Sequence, residues 1–368
     1  MIKKLKRWIT HISVAFMAII CACGTACGDA KDGGELSAPE NVRIENRVLY
    51  WDEVENADYY VVSASNGKRY ETTECQCLLI DFQKSGNYEF KVFAKSYDEK
   101  YEGSTSGKVT QYLPAPLAEG EDKYHFKYKW VEELSGYEVS IGNAILQEEL
   151  ILPDYFQGFP VKKIADAGFT FSTFFAVFET ISPNVRWYDE ESGCNTIIKT
   201  LRLPQCVEVI GFGAFCGLTE IEEVVLPEGV AEIQDYAFDS CAKLKKVNFP
   251  NGLKTIGEGA FSDTALETID LPNTVTSIGA EAFACPTYQT PNIPENNERV
   301  KQYHLDSALS RVVIPNMIKK IERRTLCGRE NLTTIVFQGV EYTYSATQPT
   351  VEGNFWRYDG AGSVVFWE

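Results

Sequence analysis

Residues 244–285 read LKKVNFPNGLKTIGEGAFSDTALETIDLPNTVTSIGAEAFAC, and one pattern occurs in them twice. An apolar-x-apolar-Pro tetrad, Val247-Asn-Phe249-Pro250 and then Ile269-Asp-Leu271-Pro272, opens each copy. Six residues after each proline stands an isoleucine (Ile256, Ile278) with a glycine behind it (Gly257, Gly279). Eleven residues after the proline stands the phenylalanine of an Ala-Phe pair (Phe261, Phe283). The residues three and one before the proline share one face of a short strand, because strand side chains alternate. Proline ends that strand, where its missing N–H does least harm. Isoleucine and phenylalanine close the far side of the coil. One copy cannot bury this much apolar surface, whereas stacked copies can.

The pattern extends in both directions. The tetrad recurs as Leu201-Arg-Leu203-Pro204, Val224-Val-Leu226-Pro227 and Val312-Val-Ile314-Pro315, so that successive prolines are 23, 23, 22 and 43 residues apart. A divergent copy runs from Leu150-Ile-Leu152-Pro153 to Gly168-Phe169, a fifth degenerates to Thr325-Leu326, and a half-copy ends the array at Leu332-Thr-Thr-Ile335-Val-Phe337. The array therefore spans residues 146–340. Its long gaps place insertions near 170–197 and at 286–307, which are expected to leave the stack as loops. The glycines at 211, 257 and 279 are read as tight-turn residues. The expected fold is a solenoid in which the tetrad strands form a parallel sheet.

These copies resemble the BspA-like, or treponemal-type, leucine-rich repeat, with Cys241 at that family's cysteine position. The resemblance implies a surface-exposed bacterial protein that binds host proteins, other cells or extracellular matrix.

Upstream, residues 38–114 hold short alternating apolar runs divided by turn residues (Asn66-Gly67, Ser85-Gly86-Asn87), the signature of a β-sandwich. Ala38-Pro39-Glu-Asn-Val42, Leu49-Tyr-Trp51-Asp, Tyr59-Tyr-Val-Val62 and Tyr88-Glu-Phe-Lys-Val-Phe-Ala94 resemble a fibronectin type III domain. That resemblance implies a core role for Trp51, a corner role for Tyr88, and a spacer or binding module. Residues 115–145 are read as a connector and N-terminal cap, and 341–368 as a C-terminal cap. The fold class is all-β: a sandwich followed by a leucine-rich-repeat solenoid.

The first residues form an address. Lys3, Lys4, Lys6 and Arg7 precede the apolar run 9–20, which is too short to span a bilayer comfortably and reads as a secretory signal over 1–22. Ile19-Ile-Cys-Ala-Cys23 resembles a bacterial lipobox, with Cys23 as the lipidated residue and Cys27 as the alternative. Gly/Asp-rich residues 23–37 would tether the protein to the outer face of a membrane.

The formal net charge of −17 argues against nucleic acid, whose phosphates repel an acidic chain. Only 3 histidines occur, and no nucleophile elbow, H-E-x-x-H or phosphate loop is present. We therefore expect no catalytic residue, cofactor or metal. Three surfaces compete for a partner. The first is the outward face of the tetrad strands, with Arg202, Asn248 and Asp270 two before the proline and Glu223, Lys246 and Arg311 four before it. Val225, Val313 and Val336 share the first column. The second is the aromatic insertion with Phe171, Phe174, Phe175, Phe178, Trp187 and Tyr188. The third is a basic zone at 298–330 that includes Arg299, Lys301, Lys319, Lys320, Arg323, Arg324 and Arg329. The leading reading is a non-catalytic adhesion or recognition protein, exported and anchored by lipid. Its partner would be a protein or glycan on a host or neighbouring cell. The alternatives are a carbohydrate-active or envelope-processing enzyme, using acid pairs such as Glu222-Glu223 or Glu190-Glu191, and a structural envelope protein without a ligand.

Overall fold

The structure, a computed structural model, describes residues 34–170, 197–285 and 308–318 and, beyond these, 320–321, 325–326, 329, 331–337, 339–345, 355–358 and 364–366. Cys23 and Cys27, the aromatics Phe171 to Tyr188, the pair Glu190-Glu191, and Arg299, Lys301, Lys319, Arg323 and Arg324 lie outside the described residues. Among the described residues there are strands and no helix.

Apolar side chains gather into two cores. The first belongs to residues 36–113. A three-stranded sheet (order Arg43–Glu45, Val48–Tyr50, Gln76–Leu78) faces a four-stranded one (order Arg69–Thr72, Tyr59–Ala64, Gly86–Lys95, Gly107–Leu113), all pairs antiparallel. Alternation sends Ile44, Leu49 and Cys77 from one sheet and Tyr60, Val62, Phe90 and Val92 from the other into a shared interior. Trp51 packs edge-on to Tyr60 with ring centroids 5.3 Å apart. The Tyr88 hydroxyl donates to the Lys84 carbonyl at 2.8 Å, a corner that pins the strand to the turn before it.

The second core runs from Phe126 to Ile335 and is built by stacking. Its longest sheet has ten strands among the described residues, one of them, Tyr155–Phe156, an antiparallel side partner of Phe159–Ile164. Glu119–Glu121, Lys127–Val131 and Gly136–Ser140 form an antiparallel lead-in, and Gly136–Ser140 then pairs in parallel with Phe159–Ile164. From there the sheet continues, one two-residue strand per coil, through Val209–Ile210, Glu232–Ile233, Thr255–Ile256, Ser277–Ile278 and Lys320–Ile321. This corrects the expectation that the tetrads carry the continuous sheet. The tetrad strands pair only in short groups: Glu149–Ile151 with Thr200–Arg202, Glu223–Val225 with Lys246–Asn248, and Thr268–Asp270 with Arg311–Ile314 and Thr334–Phe337.

The coils approach one another closely at the residue after the isoleucine, which is glycine at 211, 257 and 279. A Cβ at Gly257 would sit 2.4 Å from the Asp235 nitrogen, and one at Gly279 would sit 2.4 Å from the Glu258 nitrogen. Glycine suits that close approach in these two coils, while at the equivalent position Gln234 donates its amide to the Ile210 carbonyl at 2.9 Å and the seam closes as well. The tight turn expected at these glycines falls two residues later, where Gly213, Tyr236, Gly259 and Glu281 all have φ between 56° and 58°. A third seam follows, in which the Phe215, Phe238 and Phe261 amides each donate to the next coil at 2.8 Å. Inside it Phe169, Phe215, Phe238, Phe261 and Phe283 form a stack with centroid spacings of 5.3 to 5.6 Å. Burying one such ring contributes about 1.5–3 kcal/mol.

The two cores meet at Arg47. This residue is only 5% exposed. Its guanidinium donates to the carbonyls of Phe82 and Pro114 and lies 3.9 Å from the centre of the Phe159 ring. Gly158, with φ +76°, brings a turn of the repeat unit against Asn46, where a Cβ would be 2.7 Å from the Asn46 oxygen. The loss of water around the guanidinium lowers the Arg47 pKa from its ordinary value.

Candidate functional site

The tetrad strands from Glu149–Ile151 to Thr268–Asp270 are each three residues long with the middle one buried, so two side chains per coil point outward, and in Arg311–Ile314 the first and third residues continue the pattern. Stacking turns these into two columns. One runs Glu149, Thr200, Glu223, Lys246, Thr268, Arg311, and the other runs Ile151, Arg202, Val225, Asn248, Asp270, Val313. Five of the six residues nominated on this face already engage the protein itself. Lys246 pairs with Glu223 at 2.7 Å, one coil away in register. Arg311 bridges Asp270 at 3.9 Å and Glu341 at 3.6 Å. Asn248 lies against the preceding coil, accepting from the Leu226 amide at 2.6 Å and donating to the Leu226 carbonyl at 3.1 Å. Arg202 is exposed and forms no ion pair among the described residues. Its column neighbours Ile151 and Val225 are large apolar side chains left 47% and 61% exposed. Val336, expected in the same outward column, is instead buried.

The basic zone is corrected at Arg329, which is buried. Its guanidinium donates to the Phe283 carbonyl at 2.7 Å and to the carbonyl and hydroxyl of Thr264 at 2.6 and 3.2 Å. It joins two coils across the second insertion, and a count of charges along the chain does not reveal such burial. Glu222 and Glu223, the acid pair weighed for hydrolysis, each face a lysine of the next coil: Lys245 at 3.6 Å and Lys246 at 2.7 Å.

Two features had no clear signal in the sequence. On the continuous sheet a trough of about 650 Å³ is lined by Phe212, Glu232, Asp235 and Glu258. Each of its carboxylates already accepts a bond: Glu232 from Gln234, Asp235 from the Glu258 amide, and Glu258 from the Tyr236 hydroxyl. The second feature is an acid pair between coils. Burial, and then the charge of Asp263, push the Asp239 carboxyl up to about 7. Hydrogen bonds from Ser240 at 3.0 Å and Cys216 at 3.5 Å oppose that rise. Asp239 follows Phe238 by one residue and Asp263 follows Phe261 by two, so the pair does not recur at one repeat position and leaves no periodic trace in the sequence. Among the described residues no group of three or more His, Cys, Asp or Glu is placed to hold a metal ion.

Among curated proteins none matches the chain. Solved structures similar to it include a leucine rich repeat protein of T. pallidum (24% identity, 60% of this chain and 83% of that one, TM-score 0.43). Others are a leucine-rich repeat protein of Bacteroides ovatus (18%, 58% and 70%, TM-score 0.31) and a leucine rich cell surface protein of Faecalibacterium prausnitzii (20%, 63% and 59%, TM-score 0.30). The family comparison overlaps the coils between residues 197 and 285: residues 189–308 match the BspA type leucine rich repeat region in 6 copies, and this chain therefore carries a BspA-type leucine-rich repeat region.

Proposed function

We propose that the chain is an exported, lipid-anchored surface protein. In this reading the outward face of the tetrad strands recognises an extended protein or glycan partner without chemistry. The observation that carries this reading is the recurrence of the same two outward columns on successive coils. Such a face offers a partner many similar contacts over a long span and no enclosed pocket. The N-terminal segment supports export, with acylation at Cys23 or, failing that, at Cys27. Residues 38–114 are read as a fibronectin type III-like module. The three-plus-four strand arrangement, Trp51 in the core and the Tyr88 corner support that reading. The Arg47 contact with Phe159 favours a module that holds the repeats at a fixed attitude over one that swings freely.

The test is a pull-down with the exported chain against host-surface, matrix and envelope extracts, repeated with the joint variant K246A/N248A/D270A/R311A and with R202A. Loss of a captured partner in either variant, at unchanged thermal stability, supports the outward face. Capture that survives both places recognition elsewhere. Palmitate labelling lost in Cys23→Ser, or in Cys27→Ser, tests the anchor, and labelling retained in both removes it.

A further inference from the structure

Resting on the reading of the tetrad face as the recognition surface, we propose that its centre is Arg202, framed by Ile151 and Val225. Its partner is an extended peptide segment that presents a carboxylate between apolar side chains. The argument begins with what the rest of the face has already spent. Lys246 and Glu223 neutralise each other at 2.7 Å, Arg311 is shared between Asp270 and Glu341, and Asn248 is folded onto the Leu226 main chain. A partner docking on those groups would first have to break bonds the protein makes with itself. Exposed pairs of this kind contribute little when re-formed with something else. This half of the face is solvated and stitched.

The other half differs in three respects. Arg202 carries a charge with no acid paired to it among the described residues, in a chain whose formal net charge is −17. Glu149 and Glu223 stand in the neighbouring column on either side of Thr200, and neither pairs with it. Ile151 is the register partner of Arg202 on the adjacent strand, and Val225 holds the same position in the following coil. Pairing of their strands sets Ile151 beside Arg202 at about 4.8 Å between strands, and Val225, at the same position of the following coil, stands on the other side of the guanidinium without a strand pairing among the described residues. A single exposed aliphatic residue is ordinary on a protein surface. Two of them flanking an unpaired arginine match the composition of an energetic centre: a fork-shaped cation able to take a carboxylate with two hydrogen bonds, shielded by neighbours that exclude water once covered.

The same geometry selects among acidic partners. A sulfated or uronic-acid polysaccharide would satisfy the guanidinium but would lay hydroxyls and water over Ile151 and Val225, which gain nothing from them. A peptide strand alternates its side chains with a spacing that resembles the coil spacing poorly but spans three adjacent coils when laid across them. It can set a carboxylate on Arg202 and apolar groups on both sides.

The experiment uses the chain from residue 24 to 368 and an array of synthetic twelve-residue peptides with Asp or Glu between Leu, Val and Phe. Matched arrays carry Asn or Gln, or Lys, at the centre, and dextran sulfate is a separate arm. The expected result is selection of acid-centred over amide-centred peptides, with affinity reduced about tenfold or more in R202A and several-fold in V225N. R202E should move selection toward Lys-centred peptides, while K254A, an exposed lysine off the tetrad face, should leave the acid-centred set unchanged at unchanged melting temperature. Three outcomes overturn the proposal: no preference for acid over amide, acid-centred binding undiminished in R202A, or capture of dextran sulfate alone. If R202A is silent while K246A/N248A/D270A/R311A loses the peptides, the tetrad face still stands and only its centre is wrong. If neither variant matters, the face itself fails.

Discussion

The sandwich and the repeat array use the same apolar side chains and close their cores in opposite ways. In the sandwich each sheet is paired once, across turns and crossovers, and Trp51, Phe82 and Phe90 meet in an interior with a boundary on every side. In the array coil after coil pairs with its predecessor on the continuous sheet and along the phenylalanine seam, and Phe215, Phe238 and Phe261 see nearly identical neighbours. Connectivity, more than composition, therefore decides how far a lesion travels. A defect in a closed core weakens one unit, whereas a defect in a stacked core also removes a partner from the coils on both sides.

The largest effect should come from Phe238→Ala, which empties a fully buried site in the middle of the stack. A loss of about 3–5 kcal/mol is expected in denaturant melts. Hydrogen exchange should rise in the coils on both sides of residue 238 and leave Tyr59–Ala64 protected. Phe90→Ala should give a loss of similar size with the protection pattern reversed. Equal loss of protection in both units for either variant would break the comparison.

Arg47→Ala tests whether the boundary between the two units is itself part of the structure. It removes hydrogen bonds to Phe82 and Pro114 and uncovers Phe159, so a loss of about 1–3 kcal/mol is expected. Protease cleavage at 114–118 should become faster. Unchanged cleavage would mean that the two cores meet without holding one another.

An effect of opposite sign is expected between the coils. An aspartate titrates near ~3.9 when unfolded, and the fold raises Asp239 to about 7. The folded state thus resists ionisation of this group. Stability is fully present below about pH 4 and falls as pH climbs to 7. Asp239→Asn cannot ionise, so its melting temperature should change less between pH 5 and 8 than that of the parent and exceed it at pH 8. Parallel pH profiles for the two proteins would remove the acid pair from the account. Phe90→Ala, in the sandwich, should leave this pH profile unchanged.

The smallest effect belongs to Lys246→Ala. Lys246 and Glu223 are both more than half exposed, and their loss should shift stability by less than about 0.5 kcal/mol. A shift comparable to that of Phe238→Ala would mean that the inward and outward columns are misassigned.

The repeat period, the inward columns and the phenylalanine stack were legible from spacing alone. Each is a relation between a residue and its own coil, repeated often enough to be unmistakable, and the alternation in Tyr59–Val62 and Tyr88–Ala94 marked the sandwich strands for the same local reason. What spacing left open was every relation between a residue and the next coil. Whether Ile256 or Val247 lies on the continuous sheet depends on how closely neighbouring backbones approach, which is decided only once the coils are stacked. Arg311, Arg329 and Arg202 are equivalent letters in a charge count. Yet one is shared between Asp270 and Glu341, one is buried against Phe283 and Thr264, and one stands unpaired between Ile151 and Val225. Arg47 and Phe159 are far apart in the chain and belong to different periodic patterns, so no local rule joins them. Local sterics and alternation act within a few residues and are written in the sequence. Charge pairing, desolvation and ring stacking act across a few ångströms of space, and only the folded chain decides which residues those ångströms separate.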